Sequence, residues 1–195
     1  MADKLDIDWV RQHLTPLKDS EFIPATEFIP VTQATLEEIE KEGDFNLPVD
    51  YKRFIQSFGC CVPTRKKLFE LEVYIPPTES LKSDLSWMSK RDDGKQDVCV
   101  FYGMPGEHLT GVLGYREYYS ERMPPTLLPI GSTSQGDQIC LGVGGEELGK
   151  IFLWDEDLEI EWEDFATDDL IPREVMFWNV YRVSPSFSEF LSLIV

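Results

Sequence analysis

Apolar side chains recur along this chain with two different periods. Tyr51, Phe54, Ile55 and Phe58 fall at i, i+3, i+4 and i+7, one face of a helix. Pro48, in Leu47-Pro48-Val49-Asp50-Tyr51, takes a first-turn position where its missing N–H costs nothing, and Gly59 supplies a left-handed stop. Upstream, Thr35-Leu36-Glu37-Glu38 has capping-box spacing, so a helix is expected to begin there and end at Gly43. Ser186-Phe187-Ser188-Glu189 is a second capping box, opening a C-terminal helix with Phe187, Phe190, Leu191 and Ile194 on one side. From residue 66 the period shortens to two. Phe69, Leu71, Val73 and Ile75 alternate with Glu70, Glu72 and Tyr74 up to Pro76-Pro77, the mark of a half-buried strand. Further strands are expected at 98–102, 109–113, 127–130, 138–143, 150–154 and 175–183, with a short helix near 115–121. Helices toward the ends and strands in the middle predict a single α+β domain, a largely antiparallel sheet with helices packed on it.

Residues 1–33 are patterned more loosely. An amphipathic piece around Ile7, Trp9, Val10 and Leu14 is broken by Pro16, and Glu-Phe-Ile-Pro occurs twice, at 21–24 and 27–30, far below the period of a repeat architecture. This segment is expected to be a packed N-terminal arm, and 34–195 the α+β domain. With 195 residues, 42% of them hydrophobic, the chain can bury a core of one-domain size.

Charge changes the picture more than size does. Eighteen Lys and Arg stand against 36 Asp and Glu, a net charge of -18. Such a surface repels phosphate backbones and anionic headgroups, which argues against nucleic-acid and membrane binding and for a basic protein partner. No apolar run approaches a membrane span, and Met1-Ala2-Asp3-Lys4-Leu5-Asp6 is acidic where a secretory leader would be basic, so a cytoplasmic chain is expected.

The sequence offers several motifs that resemble reactive sites. Gly144-Gly145-Glu146-Glu147-Leu148-Gly149-Lys150 fits part of a phosphate-binding loop, but Ile151 stands where Ser or Thr is needed and two carboxylates occupy the cradle. A glycine-rich hairpin turn is the better reading. Cys60, Cys61, Cys99 and Cys140 lack the paired spacings of a zinc site and are expected to be reduced core thiols, with one of Cys60 and Cys61 exposed. His13 and His108 have no supporting motif around them, and both read as surface histidines. No catalytic residue, metal ligand or cofactor is assigned.

Asp157-Leu158-Glu159-Ile160-Glu161-Trp162-Glu163 alternates acidic and large apolar groups without exception. As a strand it would set neighbouring acids about 6.7 Å apart on one face, each pair repelling by roughly 0.6 kcal/mol in water. A helix would align Leu158, Trp162 and Phe165 instead, and both conformations leave an acidic face. Residues 155–169 hold nine acids and no base. That face is either a solvated, aggregation-resistant surface or a dock for cations, and on the second reading Asp155, Glu156, Asp157, Glu159, Glu161, Glu163 and Asp164 are the candidate partner-binding residues.

Three segments in order complete the reading. The first is Leu47 to Ile55. The second runs from Pro129-Ile130-Gly131 through Gly136-Asp137-Gln138-Ile139-Cys140-Leu141 to Gly149-Lys150-Ile151-Phe152-Leu153-Trp154-Asp155-Glu156, and the third is Ser186 to Leu191. Together they resemble the SUKH superfamily, which includes bacterial immunity proteins and yeast cell-wall-assembly regulators, over about 35–195. The resemblance implies an α+β fold without catalytic residues, commonly used in bacteria to bind and neutralise a co-encoded toxin, often a nuclease. Leu47, Pro48, Asp50, Tyr51, Phe54, Gly136, Asp137, Trp154, Asp155, Phe187 and Phe190 match it as fold determinants. Gly136-Asp137 reads as a turn closed by an Asx-type bond, and Trp154 as a core aromatic. Gly59-Cys60-Cys61 replaces the family's usual Asn-Gly-Gly type turn. An acidic immunity-type protein would occlude the basic cleft of a nuclease toxin; a regulatory or scaffold binding domain without a toxin is the alternative.

Overall fold

A computed structural model gives the architecture and describes residues 6–18, 24–65, 68–70, 95–103, 111–159 and 176–194. A short helix α1 (Ile7–Arg11) leads into β1 (Leu14–Pro16). Helices α2 (Gln33–Gly43) and α3 (Val49–Phe58) follow, then β2 (Cys61–Pro63), β3 (Leu68–Glu70), β4 (Lys95–Asp97) and β5 (Val100–Phe101). After α4 (Val112–Tyr118) come β6 (Leu127–Ser132), β7 (Gln138–Gly142), β8 (Ile151–Trp154) and β9 (Val180–Ser184), and α5 (Phe187–Ile194) ends the chain. Seven strands form one antiparallel sheet in the order β1-β2-β5-β6-β7-β8-β9, while β3 and β4 pair separately. The fold is α+β, as the two periods predict.

Strand alternation sorts side chains onto two cores. On β7 and β8, Ile139, Leu141, Ile151 and Leu153 point to the larger core, where α2, α3 and α5 contribute Leu36, Tyr51, Phe54, Phe58, Phe187 and Phe190. Cys140, Phe152 and Trp154 point the other way, into a smaller core with Tyr119, Met123 and Phe177. The middle of the sheet is therefore buried on both faces. The arm joins this structure directly: Val10, Leu14 and Leu17 are buried in the larger core, and β1 is the first strand of the sheet.

Several boundaries differ from the sequence-based expectation. Helix α2 is capped by Thr32, whose hydroxyl accepts from the Thr35 amide, so Thr35 lies inside the helix and not at its cap. Gly59 has φ +60° and ψ −137°, a positive φ but outside the left-handed helical region, and a Cβ there would lie 2.0 Å from the Ile29 carbonyl oxygen. Residues 112 and 113, expected to be strand, begin α4. Val112, Tyr115 and Tyr119 share its inner side, a spacing of three and then four. The strand expected over 175–183 forms only at Val180–Ser184, after a turn at Phe177 to Asn179. Expected strand residues 71–75 and 109–110, and His108, lie outside the described residues.

Both Cys60 and Cys61 are fully buried, which corrects the expectation that one is exposed. The arm is the reason: Pro16 pairs with Cys61, and the Leu17 amide donates to the Cys60 carbonyl at 3.1 Å. Burial, with Cys60 alongside, pushes the Cys61 thiol well above its ordinary pKa. The glycine loop is a hairpin turn between antiparallel β7 and β8, with one 3₁₀ turn at Gly145–Glu147.

Asp50 ties the two ends of the fold together. One carboxylate oxygen accepts from the Ser188 amide at 2.9 Å and the Ser188 hydroxyl at 3.1 Å, linking the first turns of α3 and α5. Asp50→Ala would leave that amide without its acceptor, at an expected cost of about 1–2 kcal/mol. Urea unfolding of Asp50→Ala and Asp50→Asn checks this, with Asn expected to retain most of the stability.

Candidate partner-binding surface

The acidic segment leaves the sheet at Trp154, and its first residue turns inward. Asp155 is fully buried. Its backbone amide donates to the Asn179 carbonyl at 3.0 Å, and its own carbonyl accepts from the Asn179 side-chain amide at 2.7 Å. Its carboxylate caps the next turn by accepting from the Leu158 amide at 3.3 Å. Asp155 therefore acts as a clamp, and its expected place on the exposed face is corrected. Asp137 performs a related role from the β6–β7 turn: one oxygen accepts from the Glu156 amide at 3.2 Å and the other from the Thr133 hydroxyl at 3.3 Å. The Asx-type bond expected at Gly136-Asp137 is thus replaced by a reach across to the end of β8. Gly136, with φ +100°, makes the turn that lets it do so.

Because Asp155 caps a 3₁₀ turn at Glu156–Leu158, the acidic and apolar residues at 157–159 do not alternate across a strand. Asp157 is exposed, the Glu156 side chain is 41% exposed and the Glu159 side chain 16%. Glu161, Glu163 and Asp164 lie outside the described residues.

Arg122 supplies a base that the local sequence does not. Its guanidinium grips the Glu159 carboxylate through two nitrogens and lies 3.9 Å from Glu156. It also sits over the rings of Tyr118, Tyr119 and Trp154, at 5.5, 5.1 and 5.8 Å from their centroids. The stretch is thus compensated from the turn that follows α4. The hydrogen bonds that Arg122 donates to Glu159 hold the Arg122 proton more tightly than usual, whereas burial raises the Glu156 pKa, an effect only partly offset by Arg122. Sequence reasoning missed Arg122 because nothing local marks it: its partners lie 34 and 37 positions away.

This surface can present Glu156 and Asp157 to solvent from a base fixed by Asp137, Asp155, Asn179 and Trp154. Among the described residues, no three His, Cys, Asp or Glu side chains are grouped so as to hold a metal ion. His13, half-buried, donates through Nδ1 to the Trp9 carbonyl at 2.8 Å. No helix among them is long and apolar enough to cross a membrane. Arg122→Ala should lower stability by about 1–2 kcal/mol through lost ring contacts and unmasked repulsion between Glu156 and Glu159. Urea unfolding at low and high salt checks this, since added salt should narrow the difference by screening that repulsion.

Residues 30–193 match the SMI1 / KNR4 family (SUKH-1). The chain is also 34% identical over 134 residues to the SPbeta prophage-derived uncharacterized protein YokK of Bacillus subtilis (strain 168), covering 69% of this chain and 67% of that protein.

Proposed function

The chain belongs to the SMI1 / KNR4 family (SUKH-1), and from that premise we propose that it is a non-catalytic immunity-type protein of a bacterial cytoplasm. It binds a co-encoded toxin, a nuclease in the leading case, and blocks the toxin's basic cleft stoichiometrically. The observation that carries this reading is the capped turn at Glu156–Leu158, which sets carboxylates at the surface of a chain of net charge -18. A nuclease must be cationic to hold its substrate, so an anionic protein is drawn to that cleft and competes there with phosphate. Glu161, Glu163 and Asp164 continue the acidic run in the sequence, and with Glu156, Asp157 and Glu159 they make up the proposed interface. Asp155 supports it from beneath.

The test is to express the protein encoded immediately beside this chain with and without it. The reading expects growth arrest by the neighbour alone, rescue on co-expression and a one-to-one complex by light scattering. A neighbour that is harmless, or that arrests growth regardless and forms no complex, would contradict it and favour a regulatory binding role.

A further inference from the structure

An open cleft of about 430 Å³ lies between the C-terminal end of α2 and the turn that follows α4. Its floor is apolar, built from Leu113, Tyr119, Met123 and Leu127, and Pro124-Pro125 form a stiff wall. Glu42 and Glu117 also line it, and both are exposed. Among the described residues, Arg116 is the one cation of the lining. Its guanidinium donates to the Gly43 carbonyl at 2.6 Å and the Pro125 carbonyl at 3.4 Å, and lies 4.8 Å from the centre of the Phe45 ring. Arg116 thus serves to hold α2 against the turn, and the two carboxylates leave the described lining net negative.

The cleft shares a wall with the acidic turn. Tyr119, part of the floor, also packs on Trp154 at 5.0 Å between ring centroids and lies beneath Arg122. We propose that this cleft is an anchoring pocket for a long cationic side chain, lysine first, carried by the partner that the acidic face attracts. The methylene stem lies along Leu113, Met123 and Leu127, and the ammonium reaches Glu42 and Glu117. Charge complementarity selects this occupant: an acidic or neutral apolar segment would bring no counter-charge to the two carboxylates. The inference rests on the proposed cationic partner, but the pocket itself can be tested without that partner.

The probe is n-hexylammonium, compared with hexanol and hexanoate, titrated against the full chain carrying methyl-labelled Leu and Met and followed by NMR. Saturable shifts at Leu113, Met123 and Leu127 are expected with hexylammonium, at an affinity about fivefold or more above hexanol. Glu42→Gln with Glu117→Gln should erase that preference while leaving the hexanol shifts in place. Equal binding of the three probes, stronger binding of hexanoate directed by Arg116, or no saturable shift at these residues would overturn the pocket. With the neighbouring-gene protein as ligand, the same double variant should speed dissociation more than it slows association. Unchanged dissociation would overturn the anchor and leave the acidic-face reading standing, whereas absence of any complex is the failure of that reading alone.

Discussion

Phe54→Ala is expected to destabilise the protein by about 3–5 kcal/mol, because the ring lies where the helical layer meets the sheet and its loss leaves a cavity in the larger core. Phe54 is fully buried and packs against Phe58, Phe101 and Phe187 at centroid distances of 5.2, 5.1 and 4.9 Å. Those three rings come from α3, β5 and α5, so truncation removes contacts from three elements at once. Tilted and edge-on pairs of this kind contribute about 0.5–1.5 kcal/mol each beyond burial. Chemical denaturation reads the effect, and a loss below about 1 kcal/mol would mean that α3 does not pack as described. The thermal midpoint should fall by on the order of 10 °C.

Trp154→Ala is expected to cost a similar ~3–5 kcal/mol, and its companion Trp154→Phe much less. Trp154 is fully buried in the smaller core, and its indole N–H has no acceptor among the described residues. Alanine would open a cavity beside Tyr119 and remove one of the three rings under Arg122. Phenylalanine keeps most of the packing and deletes a buried donor that is unsatisfied there, so its loss should stay under about 2 kcal/mol. Equal losses for the two variants in urea unfolding would show that the N–H has a partner and that the ring's size is not what matters. The Arg122 contact gives Trp154→Ala a further readout: Arg122→Ala should cost less in that background than in the wild type, since the two share contacts.

The elements behind these two effects differ in how plainly the sequence marks them. Helix α3 was legible because Tyr51, Phe54, Ile55 and Phe58 repeat with a helical period and all four are buried. β7 and β8 were legible because each is a short apolar run with a glycine turn between them. The cap of α2 was misplaced by three residues because Thr32 and Thr35 are both plausible caps, and only backbone geometry distinguishes them: Thr32 is extended, with ψ 160°. The candidate surface was half legible. Its acids are plain in the sequence, but burial of Asp155 depends on Asn179, and neutralisation of Glu159 depends on Arg122. Both partners are distant in sequence, and alternation alone, which ranks every acid in the stretch alike, carries no trace of them. The exposed thiol expected at Cys60 or Cys61 failed for the same reason, since the covering strand comes from the arm.

We propose that this chain meets a cationic partner through the carboxylates that follow β8. The most direct measurement is stopped-flow association with the protein encoded beside it, between about 20 and 150 mM salt, for wild type and for Glu156→Gln with Asp157→Asn. Exposed charges act on encounter, and the Debye length shrinks to about 8 Å at physiological ionic strength. The wild-type association rate is expected to fall steeply with salt, the double variant to show a slower rate and a shallower slope, and the dissociation rates to differ little. A flat salt dependence with equal association rates for the two proteins would contradict it, and would place the interface away from this acidic turn.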